Sequence, residues 1–148
     1  MKLLILLFFF SYANADLSNL RSLYEVATKE ESKATQMLAL AEKNSSVNFV
    51  FLGYKGAAKI ILAKHAMSPY TKWNLFKEGK NILESSIKAD ANNSELRYLR
   101  LTIQMNVPSF LGYNNNVNDD KAFLKKNIKN IKDKELQALI EDYLQNAK

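Results

Sequence analysis

The segment covering residues 48–66 constrains the fold most, because it is apolar around nearly its whole circumference when drawn as a helix. Through its middle only Lys55 and Lys59 interrupt it, and they form a narrow polar stripe one turn apart. A helix with apolar residues on every side is surrounded by other helices. Gly53 and Gly56 would let a neighbouring backbone approach closely, which offsets the roughly 1 kcal/mol that each glycine costs relative to alanine. The sequence therefore predicts a central helix inside a helical domain.

The other apolar residues also recur at helical spacing, and no stretch alternates as a strand does. Four Gly and two Pro are too few for an all-β chain, which turns roughly every 8–12 residues. Polar breaks divide the chain into about seven helices, one of which is expected to start at a capping box formed by Thr28 and Glu31. Pro69 and Pro108 mark two further boundaries, because proline disfavours helix before it. The predicted fold is all-α, in a single domain covering residues 16–148.

Residues 1–15 are typical of a targeting signal rather than of a folded element. Lys2 precedes an unbroken apolar run over residues 3–10, and an Ala-x-Ala motif ends at Ala15. The run is shorter than the roughly 20 apolar residues that span a bilayer. It therefore predicts a secretory signal peptide that is cleaved after Ala15. We expect an exported protein, periplasmic or secreted, with no transmembrane segment after cleavage.

Positive charge is concentrated in one hairpin of the predicted helices. The chain carries 21 Lys+Arg against 15 Asp+Glu, and only three of the basic residues are Arg. Residues 47–88 hold seven Lys and two acidic residues, so the excess of the mature chain lies there. This lysine-rich hairpin could bind an anionic membrane surface, envelope polysaccharide or an acidic protein, although a solvated face explains the same pattern. Export and the scarcity of Arg argue against nucleic acid.

Motifs for catalysis, cofactors and metals are missing from the sequence. There is no Cys and a single histidine, His65, which is better explained as a core or helix-end residue. The nucleophile elbow, the Walker A loop and the H-E-x-x-H zinc motif are all absent. The Asn- and Asp-rich run 114–120 lacks the glycine and the final glutamate of an EF-hand loop, so a polar loop explains it better. We predict no catalytic residue, no cofactor and no metal site.

Aromatic residues in predicted turns leave two interpretations open. Phe110 and Tyr113 follow Pro108 in a loop, where they either fold back under the domain or form a contact surface. Folding back is the more common outcome for clustered apolar side chains. Tyr70 and Trp73, at the tip of the lysine-rich hairpin, pose the same choice, and a tryptophan there more often anchors the hairpin.

Two of the predicted helices share a small–large–small pattern at an offset of 45 residues. Ala34, Leu38 and Ala41 align with Gly79, Leu83 and Ser86. This pattern resembles the second helix of a tetratricopeptide repeat, a helix-turn-helix unit that stacks into a solenoid, and residues 87–96 resemble the passage between two repeats. The usual inter-repeat proline is replaced by Ser46 and Ala91, and the offset exceeds the typical spacing of about 34 residues.

Residues 51–58 and 108–113 also resemble blocks in a group of small exported bacterial helical proteins of unknown function. Together the two resemblances imply antiparallel helix pairs stacked in a short right-handed solenoid or compact bundle. The likeness to the exported proteins implies no established activity. We predict a non-catalytic protein-binding or scaffold module of the bacterial envelope, whose partner is an envelope protein. The alternative is polyanion or membrane-surface binding through the lysine-rich hairpin. Residues expected on the binding surface are Tyr54, Lys55, Lys59, Lys77, Lys80 and Arg97, with the loop aromatics Phe110 and Tyr113 as further candidates.

Overall fold

A computed structural model describes residues 2–147, with side chains from Asn14 onward. No strand occurs in this part of the chain, so the all-α prediction is confirmed. Two 3-10 turns, Ser109–Leu111 and Ile128–Asn130, lie between helices. The helices are α1 (Lys2–Ala27), α2 (Glu31–Glu42), α3 (Phe49–His65), α4 (Pro69–Ala89), α5 (Ser94–Asn106), α6 (Val117–Asn127) and α7 (Lys134–Asn146).

Helix α1 runs without a break through the position predicted for signal-peptide cleavage, after Ala15. The side chains of residues 1–13, most of the predicted signal peptide, lie outside the described residues. Within the part that is described, no helix is both long enough and apolar enough to cross a bilayer. Cleavage and export stay predictions from the sequence.

Side-chain caps fix most of the helix starts. The predicted capping box is wrong: α2 begins after Glu30, whose side chain makes no cap hydrogen bond, and Thr28 lies in the preceding turn. The turn is closed instead by the backbone, because the N–H groups of Lys29 and Glu30 both donate to the carbonyl of Val26. Elsewhere a polar side chain accepts from the first-turn N–H groups, as an N-cap does. These caps are Asn48, Ser68, Asn93 and Asp133.

Helix α3 is the central helix of the first half of the chain. Nine of its residues are buried, and it packs against α1, α2, α4 and α5. Its contact with α4 is a backbone contact: a Cβ added at Gly79 would lie 2.6 Å from the carbonyl oxygen of Gly56, and a Cβ at Gly56 would lie 2.7 Å from that of Gly79. Side chains at these two positions would force the helices apart, since interiors are close-packed. The prediction of a surrounded helix with close neighbours is confirmed.

Helix α5 lies between two apolar clusters and is shared by them. Nine of its 13 residues are buried. One cluster is built mainly by α1 to α4 together with Leu96, Leu99 and Ile103 of α5. The other joins Tyr98 and Leu101 of α5 to α6 and α7. The second cluster therefore reaches the first through α5.

Buried arginines join helices that are distant in the sequence. Arg21 on α1 donates two hydrogen bonds of 2.8 Å to Glu95 on α5, and it reaches Asp133 at 2.8 Å and Glu135 at 2.6 Å at the start of α7. Tyr54 donates to the same carboxylate at 2.8 Å. A buried charge without a partner is costly. These pairs therefore hold the start of α7 next to α1 and α5.

A second arginine cluster joins α4, α5 and α6. Arg100 donates to both oxygens of the fully buried Asp120, at 2.7 and 2.8 Å, and Arg97 adds a bond of 2.9 Å. Glu84 on α4 accepts from Arg100 at 2.9 Å and from the Tyr113 hydroxyl at 2.5 Å. The cluster ties the loop after α5 back to α4.

The Asp133 carboxylate is expected to make stability fall in acid. Burial raises its pKa, but hydrogen bonds from Arg21 and from the Leu136 N–H outweigh burial, so the pKa is below its ordinary value of 3.8. The charged form is therefore favoured by folding. Its contribution is present at neutral pH and is lost as the pH falls from about 4 through the folded-state pKa. The free energy of unfolding, measured in urea, should be lower at pH 3 than at pH 7. Asp133 should account for less than about 1 kcal/mol of the difference, because this half-exposed carboxylate is screened by solvent.

Asp133→Asn is the matched control for that measurement. Asparagine is as good an N-cap as aspartate, so the variant keeps the helix start and removes only the charge. Its stability should depend less steeply on pH below 4 than that of the wild type. An identical pH dependence would mean that the Arg21–Asp133 pair contributes nothing.

Candidate functional site: an apolar groove

A groove of about 790 Å³ lies near the α3–α4 turn. Helix α1 contributes Tyr24 and Thr28, and the ends of α3 and α4 contribute Ile60, Trp73 and Phe76. The opposite wall comes from α5 and the loop after it, with Ile103, Val107 and Leu111, and Tyr143 of α7 closes one side. Its volume is in the range of small-molecule sites, roughly 300–1,000 Å³, and its lining is mostly apolar, as in such sites.

Local sequence explains how this end of the molecule is built. Ser68 caps α4 and Pro69 fills its first position, so the chain turns tightly between α3 and α4. After α5, Pro108 starts a 3-10 turn, which ends at Gly112 with a positive φ of 62°. That left-handed conformation suits glycine. It lets Tyr113 return under the domain, where its ring meets Phe76 edge-on at 6.1 Å.

Polar groups at the floor of the groove bond to each other. The Tyr24 hydroxyl and Thr102 Oγ1 lie 2.5 Å apart, and Thr102 also donates to the Leu99 carbonyl at 3.0 Å. Burial raises the pKa of Tyr24 and Tyr143, and burial together with the charge of Glu25 raises that of Tyr98 to about 12. The aromatic lining is therefore neutral at physiological pH. A ligand group against this floor would meet a surface with its hydrogen bonds already made.

Large apolar side chains stand exposed around the mouth of the groove. Phe110 and Trp73, both lining residues, are 85% and 52% exposed, and Met67 and Tyr70 on the neighbouring turn are 94% and 76% exposed. Exposed apolar groups that cluster beside a concavity mark binding surfaces more often than isolated ones do. Trp73 packs on Phe76 of the same helix at 6.3 Å and keeps half its surface open, so the prediction that it anchors the hairpin stays a prediction.

Three charged residues line the groove: Lys64 and Lys72 at the α3–α4 turn, and Glu25 on α1. Lys64 Nζ donates to the Thr28 carbonyl at 3.1 Å, and Lys72 Nζ donates to the Lys64 carbonyl at 3.2 Å. Among the residues from Asn14 to Ala147, neither ammonium has a carboxylate within 4.0 Å. The charge of the groove is therefore positive at the turn and negative on the α1 wall.

The residues predicted for a binding surface do not form one. Tyr54 is fully buried beneath α1 and α5, so its placement on a surface is wrong. Lys55 pairs with Glu42 at 3.6 Å, and Lys59 pairs with Glu78 at 2.9 Å.

The other predicted cations are divided between an aromatic contact, open solvent and an internal pair. Lys80 lies over the Tyr113 ring at 4.9 Å, while Lys77 is exposed on α4. Arg97 lies over Phe123 at 5.0 Å and also binds Asp120. Most of these cations are therefore engaged within the domain.

The two loop aromatics have opposite environments. Tyr113 is buried and donates its hydroxyl to Glu84, which is the folded-back interpretation. Phe110, three residues earlier, points outward at the groove mouth. In this one loop, Tyr113 folds back under the domain and Phe110 is exposed, so each of the two interpretations describes one of the two residues.

The other candidate chemical groups are engaged in structural contacts. His65 Nε2 lies 2.8 Å from the Ala27 carbonyl, at the end of α3. Asp120, in the Asn- and Asp-rich run, is held by two guanidinium groups and fully buried, so it is not presented to a cation. Within the described part of the chain, no three His, Cys, Asp or Glu side chains are grouped as metal ligands are.

Sequence reasoning missed most of the groove. Tyr24, Thr102, Ile103 and Tyr143 carry no sign of a shared site in the sequence, because the lining comes from five helices and one loop. Of the aromatic residues that the sequence marks in turns, Trp73 and Phe110 line the groove.

No protein-family model matches the chain, and neither the curated proteins nor the solved structures contain a match. The tetratricopeptide resemblance therefore stays a prediction that rests on the aligned residues alone.

Proposed function

We propose that the chain is an exported, non-catalytic binding protein, and that the apolar groove is its binding site. The groove carries this proposal, because an open concavity with exposed aromatic residues at its mouth, and with the Tyr24 hydroxyl and Thr102 Oγ1 bonded to each other, suits an apolar group of a ligand. The signal-like residues 1–15 support export. The partner that the sequence favours is an envelope protein, and the groove would hold an apolar group of its occupant.

The alternative, polyanion binding through the lysine-rich hairpin, has less support. Lys55 and Lys59 are paired with carboxylates, and Lys80 lies over an aromatic ring. Lys77 and Lys88 are exposed but are two separate charges on one helix, and the remaining two lysines of the hairpin, Lys64 and Lys72, line the groove. Exposed charges so arranged are typical of a solvated surface.

A neutral solvatochromic naphthalene ketone is the probe that tests the groove. We expect residues 16–148 to bind it with a blue shift of the dye emission and a change in the fluorescence of Trp73, the only tryptophan in the chain. Phe110→Ser combined with Trp73→Ser should weaken dye binding by about tenfold, because both aromatic groups at the mouth are removed. Both residues are exposed, so circular dichroism should show an unchanged fold.

The matched control is Val47→Ser combined with Phe49→Ser. These residues are also exposed and apolar, but they lie at the α2–α3 turn and do not line the groove. The control should bind dye as the wild type does. An absence of dye binding by the wild type, or equal losses in the two double variants, would refute the proposal that the groove is the binding site.

A further inference from the structure

We infer that the ligand of the groove is an anionic amphiphile, with a single acyl chain in the groove and a carboxylate or phosphate headgroup between Lys64 and Lys72. This inference rests on the proposed function and adds the chemistry of the occupant. It follows from three features: the hydrogen bond between the Tyr24 hydroxyl and Thr102 at the floor, the volume of the groove, and the position of the two lysines.

The floor favours a hydrocarbon chain over an extended peptide. Peptide N–H and C=O groups need partners wherever they leave water. Here the Tyr24 hydroxyl and Thr102 Oγ1 bond to each other, and the walls beside them are Ile61, Ile103 and Val107. A hydrocarbon chain requires no hydrogen bond and gains about 0.8 kcal/mol for each methylene that it buries.

The volume also disfavours a helical segment of a partner. A helix is about 10–12 Å across with its side chains and rises about 5.4 Å per turn, so fewer than about two turns would fill the groove. The groove volume of about 790 Å³ is therefore short for a partner helix. One flexible acyl chain can follow the groove between α3, α4 and α5.

The lysines give the preferred sign of the headgroup. Lys64 and Lys72 stand together at the α3–α4 turn, since the ammonium group of Lys72 reaches the carbonyl of Lys64. Each uses a backbone carbonyl and keeps further N–H donors, and a carboxylate or phosphate would accept them. Glu25 is the opposing charge; it lies on α1 about one helical turn before Thr28, whose carbonyl binds Lys64, so the lining carries two ammonium groups against one carboxylate. A headgroup at the turn therefore meets two positive charges.

The test is displacement of the neutral dye by ligands that share one chain and differ in headgroup. Decanoate, decyl phosphate, decanol and decylammonium are titrated below micelle-forming concentrations. We expect decanoate and decyl phosphate to displace the dye at concentrations about fivefold lower than decanol does, because each anion gains two exposed charge contacts. Decylammonium should be the weakest competitor. The ratio of decanoate to decyl phosphate distinguishes a carboxylate from a phosphate headgroup. The preference for anions should decline with added salt.

Lys64→Gln combined with Lys72→Gln should remove the preference for anions and leave the displacement by decanol unchanged. The control, Lys77→Gln combined with Lys88→Gln, removes the same charge from α4 outside the groove and should keep the preference. Decanol as effective as decanoate, or equal losses in the two double variants, would overturn the inference while dye binding still supported the groove. A hydrophobic peptide that displaced the dye better than decanoate would also overturn it, in favour of a protein partner.

Discussion

Replacing Arg21 by methionine is expected to lower the free energy of unfolding by about 3–5 kcal/mol. Arg21 is the only charged partner of the buried Glu95 in the described structure, and its loss leaves that carboxylate with the Tyr54 hydroxyl alone. The same change releases Asp133 and Glu135 at the start of α7. Urea denaturation followed by circular dichroism measures the loss.

Two further variants isolate the cause. Arg21→Met with Glu95→Gln should recover more than about 1 kcal/mol, because the amide can still accept from Tyr54 and no charge is left buried. Lys29→Met removes a cation from an exposed position and should change stability by less than about 0.5 kcal/mol. A loss in Arg21→Met of only that size would mean that water reaches Glu95.

Gly79→Ala is expected to destabilise the chain by about 1–3 kcal/mol, although alanine is the better helix former by about 1 kcal/mol. The added methyl group would lie 2.6 Å from the Gly56 carbonyl oxygen and 2.8 Å from the Ile60 backbone nitrogen. Both are backbone atoms, which cannot turn aside as a side chain can. Helices α3 and α4 would have to separate.

The control for Gly79→Ala lies two residues away. Asn81 is exposed on the same helix, so Asn81→Ala should stabilise slightly through helix propensity alone. Opposite signs for the two substitutions in thermal or urea denaturation would demonstrate the close contact. A stabilising Gly79→Ala would show that the backbones are further apart than described.

The features that local patterns determine were predictable from the sequence. The apolar circumference of residues 48–66 predicted the surrounded helix α3, and the residues Ser68-Pro69 predicted the start of α4. Each of these depends on residues of one continuous segment of the chain. The predicted capping box of Thr28 and Glu31 is wrong, because backbone hydrogen bonds close the turn after α1 without a side-chain cap.

Helix α5 shows what local patterns cannot give. Its polar residues Glu95, Arg100 and Gln104 are typical of an exposed face, yet all three are buried. Their partners are distant: Arg21 is 74 residues from Glu95, Asp120 is 20 from Arg100, and Asn116 is 12 from Gln104. The groove depends on α5 as well, because Thr102 and Ile103 face it. The groove exists only because several helices pack together, and the pattern of a single helix does not contain that information.

Because the two apolar clusters are joined through α5, the chain is expected to unfold in two steps at the level of amide hydrogen exchange. Helices α6 and α7 share the second cluster with α5, so they can detach while α1 to α4 stay folded once the Arg21 pairs to Asp133 and Glu135 break. Tyr143 on α7 is a wall of the groove, and that detachment would open the groove sideways. Detachment of the last two helices would therefore give a ligand a second route into the groove, beside the open mouth.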